Sequence, residues 1–89
     1  MNNKIALSSL ALDLKRVAIA YHRGSDKMAE RFIQETKRWV NDVNIDSMPS
    51  HIQELIRSLD TIFDNHNKKR IAEDALMYST LFQNYSVQK

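Results

Sequence analysis

The chain has 89 residues, of which 43% are hydrophobic and 27% are charged, so we expect one folded domain over residues 1–89 and no second one. It contains one Gly, one Pro and no Cys, which predicts long helices with few turns and excludes disulfides and thiolate metal sites. The net charge of +2, with both signs mixed, excludes the highly charged compositions that are typical of disordered chains.

Helix 1 is predicted from about residue 3 to residue 23. Its main apolar stripe recurs at spacings of three and four residues, the period of a helix that packs in a bundle: Leu7, Leu10, Leu14, Val17 and Tyr21. Gly24 follows where a helix ends through a left-handed residue. Ser25 comes next as the predicted N-cap of helix 2, which implies a tight hairpin between the two helices.

Helix 2 is predicted from about residue 26 to residue 43. Its apolar stripe is wide: Ala29, Ile33, Thr36, Val40 and Val43, broadened by Met28, Phe32 and Trp39. Residues 44–48 break the pattern before Pro49, and helix 3 is predicted from about residue 49 to residue 64. Ser47 or Ser50 is expected to cap helix 3, and Ser50 with Gln53 has the spacing of a capping box.

Helix 4 is predicted from about residue 67 to residue 86, with Asn65 or Asn67 as its N-cap. Its stripe comprises Ile71, Ala75, Tyr78, Phe82 and Tyr85. The two helical hairpins are joined by a five-residue linker, which is too short to run back along a helix. The sequence therefore predicts an all-α, up-down-up-down four-helix bundle, and an open arrangement of the same helices is the alternative.

Helix 1 carries a second apolar column, formed by Ile5, Leu12 and Ile19 at seven-residue spacing. A helix that is apolar around most of its circumference is buried on most sides. Because a central helix is geometrically difficult to accommodate among four helices of this length, the column predicts a homodimer in which these residues form the self-association surface. In the alternative interpretation, helices 3 and 4 splay apart and cover both stripes.

Few residues in the sequence point to chemistry. His51 and Glu54 share a helix face, but one such pair supplies at most two metal ligands. Asp13 lies between two leucines, and an ion pair with Arg16 or with nearby Lys15 is the simplest interpretation. The aromatic series of helix 4 has the packing period itself, so we expect these rings and Trp39 in the core or at an interface. The sequence predicts no enzyme, no cofactor and no metal site.

Positive charge is concentrated at one end of the predicted bundle. Residues 15–31 and 57–70, which lie in the half near the hairpin turns, contain nine basic and four acidic side chains. The N-termini of helices 2 and 4 point to the same end and add positive potential. We name the candidate anion-binding residues the basic tip: His22, Arg23, Lys27, Arg31, Lys68, Lys69 and Arg70.

These features predict a small interaction protein, an adaptor or regulator without catalytic activity. Helix 1 would mediate self-association, and the basic tip would engage an acidic protein or a phosphate-bearing partner. The alternative is a nucleic-acid-binding protein that uses the same tip. This alternative is less favoured, because Glu30 and Glu35 lie among the basic residues of helix 2. Asp13, Lys15 and Arg16 interrupt the N-terminal apolar segment, so we expect no signal peptide, no membrane span and a cytoplasmic location.

Overall fold

The computed structural model describes residues 3–87 and confirms the predicted helices, each end within one residue of its predicted position. The elements in chain order are α1 (Asn3–His22), α2 (Asp26–Asp42), a 3₁₀ turn (Ile45–Ser47), α3 (Ser50–Phe63) and α4 (Lys68–Val87). In this part of the chain 87% of residues are helical and there is no strand. The near absence of Gly and Pro thus produces helices that are interrupted only at the predicted breaks.

The four helices form a compact bundle in which α1 packs against α2 and α4, while α3 packs against α4. The starts of α2 and α4 lie at one end, because the ammonium group of Lys68 contacts the carboxylate of Asp26. The starts of α1 and α3 lie at the other end, where the side chain of Asn3 bonds Ser47 and the backbone of Asn44. Successive helices therefore alternate in direction, as predicted.

The core lies on one side of α1 and is completed by apolar residues from the other helices. Its largest fully buried side chains include Leu7, Leu10 and Leu14 of α1, Ile52 of α3 and Phe82 of α4. Buried alanines on α1 and α4 let these two helices approach each other closely: Ala11, Ala18, Ala72 and Ala75. The hydroxyl of Ser79 donates a 2.7 Å hydrogen bond to the Ala11 carbonyl, which fixes α4 along α1.

The turn between α1 and α2 has the geometry that the single glycine predicts. Gly24 has a φ of 74°, a conformation that glycine adopts without steric cost. The Ser25 N–H donates to the Ala20 carbonyl at 2.9 Å, and the Gly24 N–H donates to the Tyr21 carbonyl at 3.0 Å, which is the Schellman pattern. Ser25 occupies the N-cap position of α2, but its hydroxyl makes no capping bond. The predicted N-cap position is therefore confirmed, although no side-chain capping bond forms.

The caps of the last two helices differ from each other. The Asn67 Oδ1 accepts the N–H groups of Lys69 at 3.0 Å and Arg70 at 3.3 Å, which confirms Asn67 as the cap of α4. The predicted serine caps of α3 are wrong, because Pro49 occupies its N-cap position. This shift places Ser50 inside the first turn, and Gln53 donates to the Met48 carbonyl at 2.8 Å instead of completing a capping box.

The apolar stripe of α2 is as predicted except at Met28, because Phe32, Trp39, Val40 and Val43 are partly buried against the core. Ala29, Ile33 and Thr36 are buried, whereas Met28 is exposed and Phe32 is half-buried. Met28 and Phe32 lie beside α1 at the surface, where they line a groove between the two helices. Among residues 3–87, no helix combines the length and the apolar character needed to cross a membrane.

Candidate interaction surfaces

The second apolar column of α1 lies on the surface of the bundle. Ile5 is 59% exposed, Leu12 is 47% exposed and Ile19 is 41% exposed. The alternative in which α3 and α4 cover this column is therefore wrong, since α1 contacts α2 and α4 on its flanks and turns the column away from the core. We call these three residues the α1 face. Their exposure leaves a row of large apolar side chains available for contact.

Apolar side chains of both neighbouring helices lie beside the α1 face. A groove of about 410 Å³ between α1 and α2 has apolar walls from Ile19, Met28 and Phe32 and has Arg16 and Arg23 at its edges. A second groove, of about 390 Å³ between α1 and α4, places Leu12 beside Leu76. It also contains Ala11, Lys15, Ser79, Thr80 and Gln83.

Met28 and Leu76 extend the candidate surface beyond the three residues that the seven-residue spacing predicts. Met28 is 44% exposed and Leu76 is 45% exposed. The exposure of Leu76 could have been predicted from the sequence, because this leucine lies outside the predicted apolar stripe of helix 4. The exposure of Met28 could not have been predicted, since this residue is adjacent to buried Ala29 and its position fits the edge of a core stripe as well as it fits the surface.

A buried carboxylate lies beside the α1 face. Asp13 is only 5% exposed, and the Arg16 guanidinium donates to its Oδ1 at 3.1 Å, which confirms the predicted ion pair. The same guanidinium lies 5.6 Å from the centroid of the Phe32 ring, within the range of a cation–π contact. Arg16 thus satisfies the carboxylate and joins α1 to α2 at the rim of the apolar groove.

The structure brings together only part of the basic tip. His22, Lys68 and Lys69 line one cavity of about 190 Å³, together with Tyr21 and Ala72. This convergence follows from the alternating helix directions, which place the end of α1 beside the start of α4. We call this the tip cavity. It combines two ammonium groups, one imidazole and the positive end of a helix dipole.

Carboxylates already engage two cations of the basic tip. The Lys68 ammonium contacts the Asp26 carboxylate, and this hydrogen bond, supported by the Asp26 charge, raises the pKa of Lys68. Burial raises the pKa of Tyr21, and the nearby charge of Asp26 adds to the shift. The Arg70 Nε lies 3.5 Å from the Asp74 Oδ2. These pairs reduce the positive potential that the composition alone predicts.

The remaining basic-tip residues lie elsewhere on the surface. Arg23 borders the apolar groove between α1 and α2. Arg31 lines a further groove between these helices, beside Asp13 and Glu35. Lys27 is exposed near the start of α2. Three of the seven predicted residues therefore line the tip cavity, whereas Arg23 and Arg31 line grooves between α1 and α2.

No cluster of three or more potential metal-ligating His, Cys, Asp or Glu side chains occurs in residues 3–87. The His51 ring lies edge-on against Tyr85, with the ring centroids 6.3 Å apart. Phe82 is fully buried and Tyr78 and Tyr85 are half-buried, which confirms their packing role. Comparisons of the chain with protein-family models, with curated proteins and with solved structures found no match.

Proposed function

We propose that this protein is a small non-catalytic interaction module that self-associates through the α1 face. The exposure of Ile5, Leu12 and Ile19, which lie on one side of α1 at seven-residue spacing, supports the proposal. Burying the exposed half of one such side chain contributes roughly 1 kcal/mol, so a column shared by two copies supplies a substantial driving force. Met28 and Leu76 widen the column, as expected of an interface rather than of scattered surface residues.

The tip cavity supplies a second contact, to an acidic protein or a phosphate-bearing partner. Its support is the convergence of His22, Lys68 and Lys69 at the N-terminus of α4, where a helix favours negative charge. Such a partner competes with Asp26 for Lys68. We therefore expect weak, salt-sensitive binding at this cavity, which adds specificity to an assembly that the α1 face holds together.

No observation favours the nucleic-acid alternative over this proposal. Asp26 and Asp74 contact two of the cations that it needs, and Glu35 shares a groove with Arg31. A nucleic-acid surface would require a basic stripe that follows the phosphate backbone. The nucleic-acid function therefore stays a prediction of the sequence alone.

The molar mass in solution tests the self-association. Light scattering should give twice the chain mass of 10.4 kDa at high micromolar concentration, and the mass should fall towards that of one chain on dilution. A monomer mass over the whole concentration range would overturn the proposed self-association.

The melting temperature in phosphate, compared with sodium chloride of matched ionic strength, tests the tip cavity. Phosphate should raise the melting temperature beyond the effect of ionic strength, because a ligand stabilises the state that binds it. Asp26→Asn should increase this increment by releasing Lys68, and Lys69→Gln should decrease it. Lys37→Gln, which removes an exposed cation of α2 away from the cavity, is the matched control. If phosphate raises the melting temperature of all variants by the same amount, anion binding at the tip cavity is excluded.

A further inference from the structure

The α1 face has a symmetry that determines how a second copy fits it. Ile5 and Ile19 each lie seven residues from Leu12, a separation of about 10.5 Å along the helix axis. Reversing the direction of the helix about Leu12 therefore superposes the column on itself. In an antiparallel pair, Leu12 meets Leu12 of the second copy, and Ile5 of each copy lies opposite Ile19 of the other.

The charged residues that border the column distinguish the two possible directions. Lys15 lines the groove on the α4 side of the column, and Ser8 lies seven residues before it, on the same side. Arg16 and Ser9 line the groove on the α2 side. Each side of the α1 face thus has a serine in its first half and a cation in its second half.

In a symmetric parallel pair, Lys15 lies beside Arg16 of the second copy at nearly the same level, which juxtaposes like charges. In a symmetric antiparallel pair centred on Leu12, Lys15 lies beside Ser8 of the second copy, and Arg16 lies beside Ser9 of the second copy. In that arrangement the serine hydroxyls can accept hydrogen bonds from these cations, and Arg16 can keep its ion pair with Asp13.

The neighbouring grooves fit the antiparallel pair as well. Leu76 lies beside Leu12, so the Leu76 side chains of both copies add apolar surface near the two-fold axis. Ile5 is the most exposed residue of the column. In this arrangement it lies opposite Ile19, at the groove that Met28 and Phe32 line in the second copy.

We propose that the occupant of the α1 face is a second copy of this chain, bound antiparallel about a two-fold axis at Leu12, with Ile5 of each copy at the α1–α2 groove of the other. The symmetric spacing of the column, the serine–cation complementarity and the apolar groove opposite Ile5 carry this arrangement. It rests on the proposed self-association, to which it adds the direction and the register of the two helices.

Site-directed cross-linking tests the register, because the natural chain has no cysteine and each introduced thiol is unique. With a short bismaleimide reagent, Leu12→Cys should give a covalent dimer as the main product. Ile5→Cys alone and Ile19→Cys alone should stay uncoupled, since like positions lie about 21 Å apart along an antiparallel pair. A mixture of the Ile5→Cys and Ile19→Cys chains should couple to each other.

Light scattering of each cysteine variant before cross-linking shows whether that variant still forms a dimer. A wrong register can then be distinguished from a loss of self-association. Leu81→Cys, at a position that is 41% exposed on α4, is the control for random collision and should give little product. Efficient coupling of Ile5→Cys to itself in a dimeric sample would overturn the antiparallel register. A dimeric sample in which Leu12→Cys fails to couple would overturn the two-fold axis at that residue. A monomeric mass for the wild type would overturn the self-association itself.

Discussion

Replacing Leu12 with glutamate tests whether the α1 face is an interface or only a solvated surface. In the folded monomer the side chain of Leu12 is 47% exposed, so a carboxylate at this position has access to water. Arg16 lies one turn later on the same helix, where an acidic residue four positions before a cation adds about 0.2–0.5 kcal/mol of stability. Because the other half of the Leu12 side chain is already buried in the monomer, we expect Leu12→Glu to lower the stability of the monomer by no more than about 1 kcal/mol.

The same substitution should strongly weaken the proposed dimer. Each Leu12 loses the burial of about half a side chain, roughly 1 kcal/mol, and this loss occurs in both copies. Each introduced carboxylate also loses water without gaining a hydrogen-bond partner. In a symmetric pair it lies opposite the same carboxylate of the second copy, so each carboxylate costs at least about 1 kcal/mol of association free energy. The total of roughly 4 kcal/mol corresponds to an increase in Kd of about a thousandfold.

Sedimentation equilibrium measures this change, and circular dichroism on dilute samples checks that the helices remain. Leu81→Glu is the matched control, because it introduces the same charge at a leucine that is 41% exposed and lies on α4. An unchanged Kd for Leu12→Glu, or an equal loss for Leu81→Glu, would refute the reasoning. A loss of helix in dilute Leu12→Glu would show that the residue supports the monomer instead.

Three predictions concern stability. Asn67→Ala removes the acceptor of two backbone N–H groups and should lower the free energy of unfolding in urea by about 1 kcal/mol. Ser79→Ala removes the buried bond to α1 and should cost about 1 kcal/mol in the same assay. The raised pKa values of Tyr21 and Lys68, above ordinary values of 10.0 and 10.5, mean that the folded state holds these protons more tightly. Stability should therefore fall as the pH rises through and beyond about 10, and less steeply in Tyr21→Phe.

The helix boundaries could be predicted because local signals determine them. The left-handed geometry of Gly24 and the side-chain bonds of Asn67 depend only on neighbouring residues, so the sequence places both helix ends. The cap of α3 could not be predicted in the same way. Several candidate residues follow one another there, and a shift of one position moves Ser50 from the cap into the helix.

The α1 face could be recognised from its seven-residue spacing, but its exposure could not. The spacing shows that Ile5, Leu12 and Ile19 share one side of a helix, and it carries no information about which helix covers that side. The outcome depends on tertiary packing, in which the buried small side chains of Ala75 and Ser79 bring α4 against the flank of α1. The column is left uncovered.

The number of cations in the basic tip does not predict how many of them are available to a partner, because some already form ion pairs. The pair between Arg70 and Asp74 has i,i+4 spacing that the sequence already contains, whereas 42 residues separate Lys68 from Asp26. An acidic partner at the tip cavity must displace Asp26 or share Lys68 with it, so part of its binding energy is offset by an ion pair already present. The α1 face is apolar along its centre and requires no such exchange. We therefore expect the α1 face to determine the affinity of the assembly, while the tip cavity contributes the dependence on salt and on the charge of the partner.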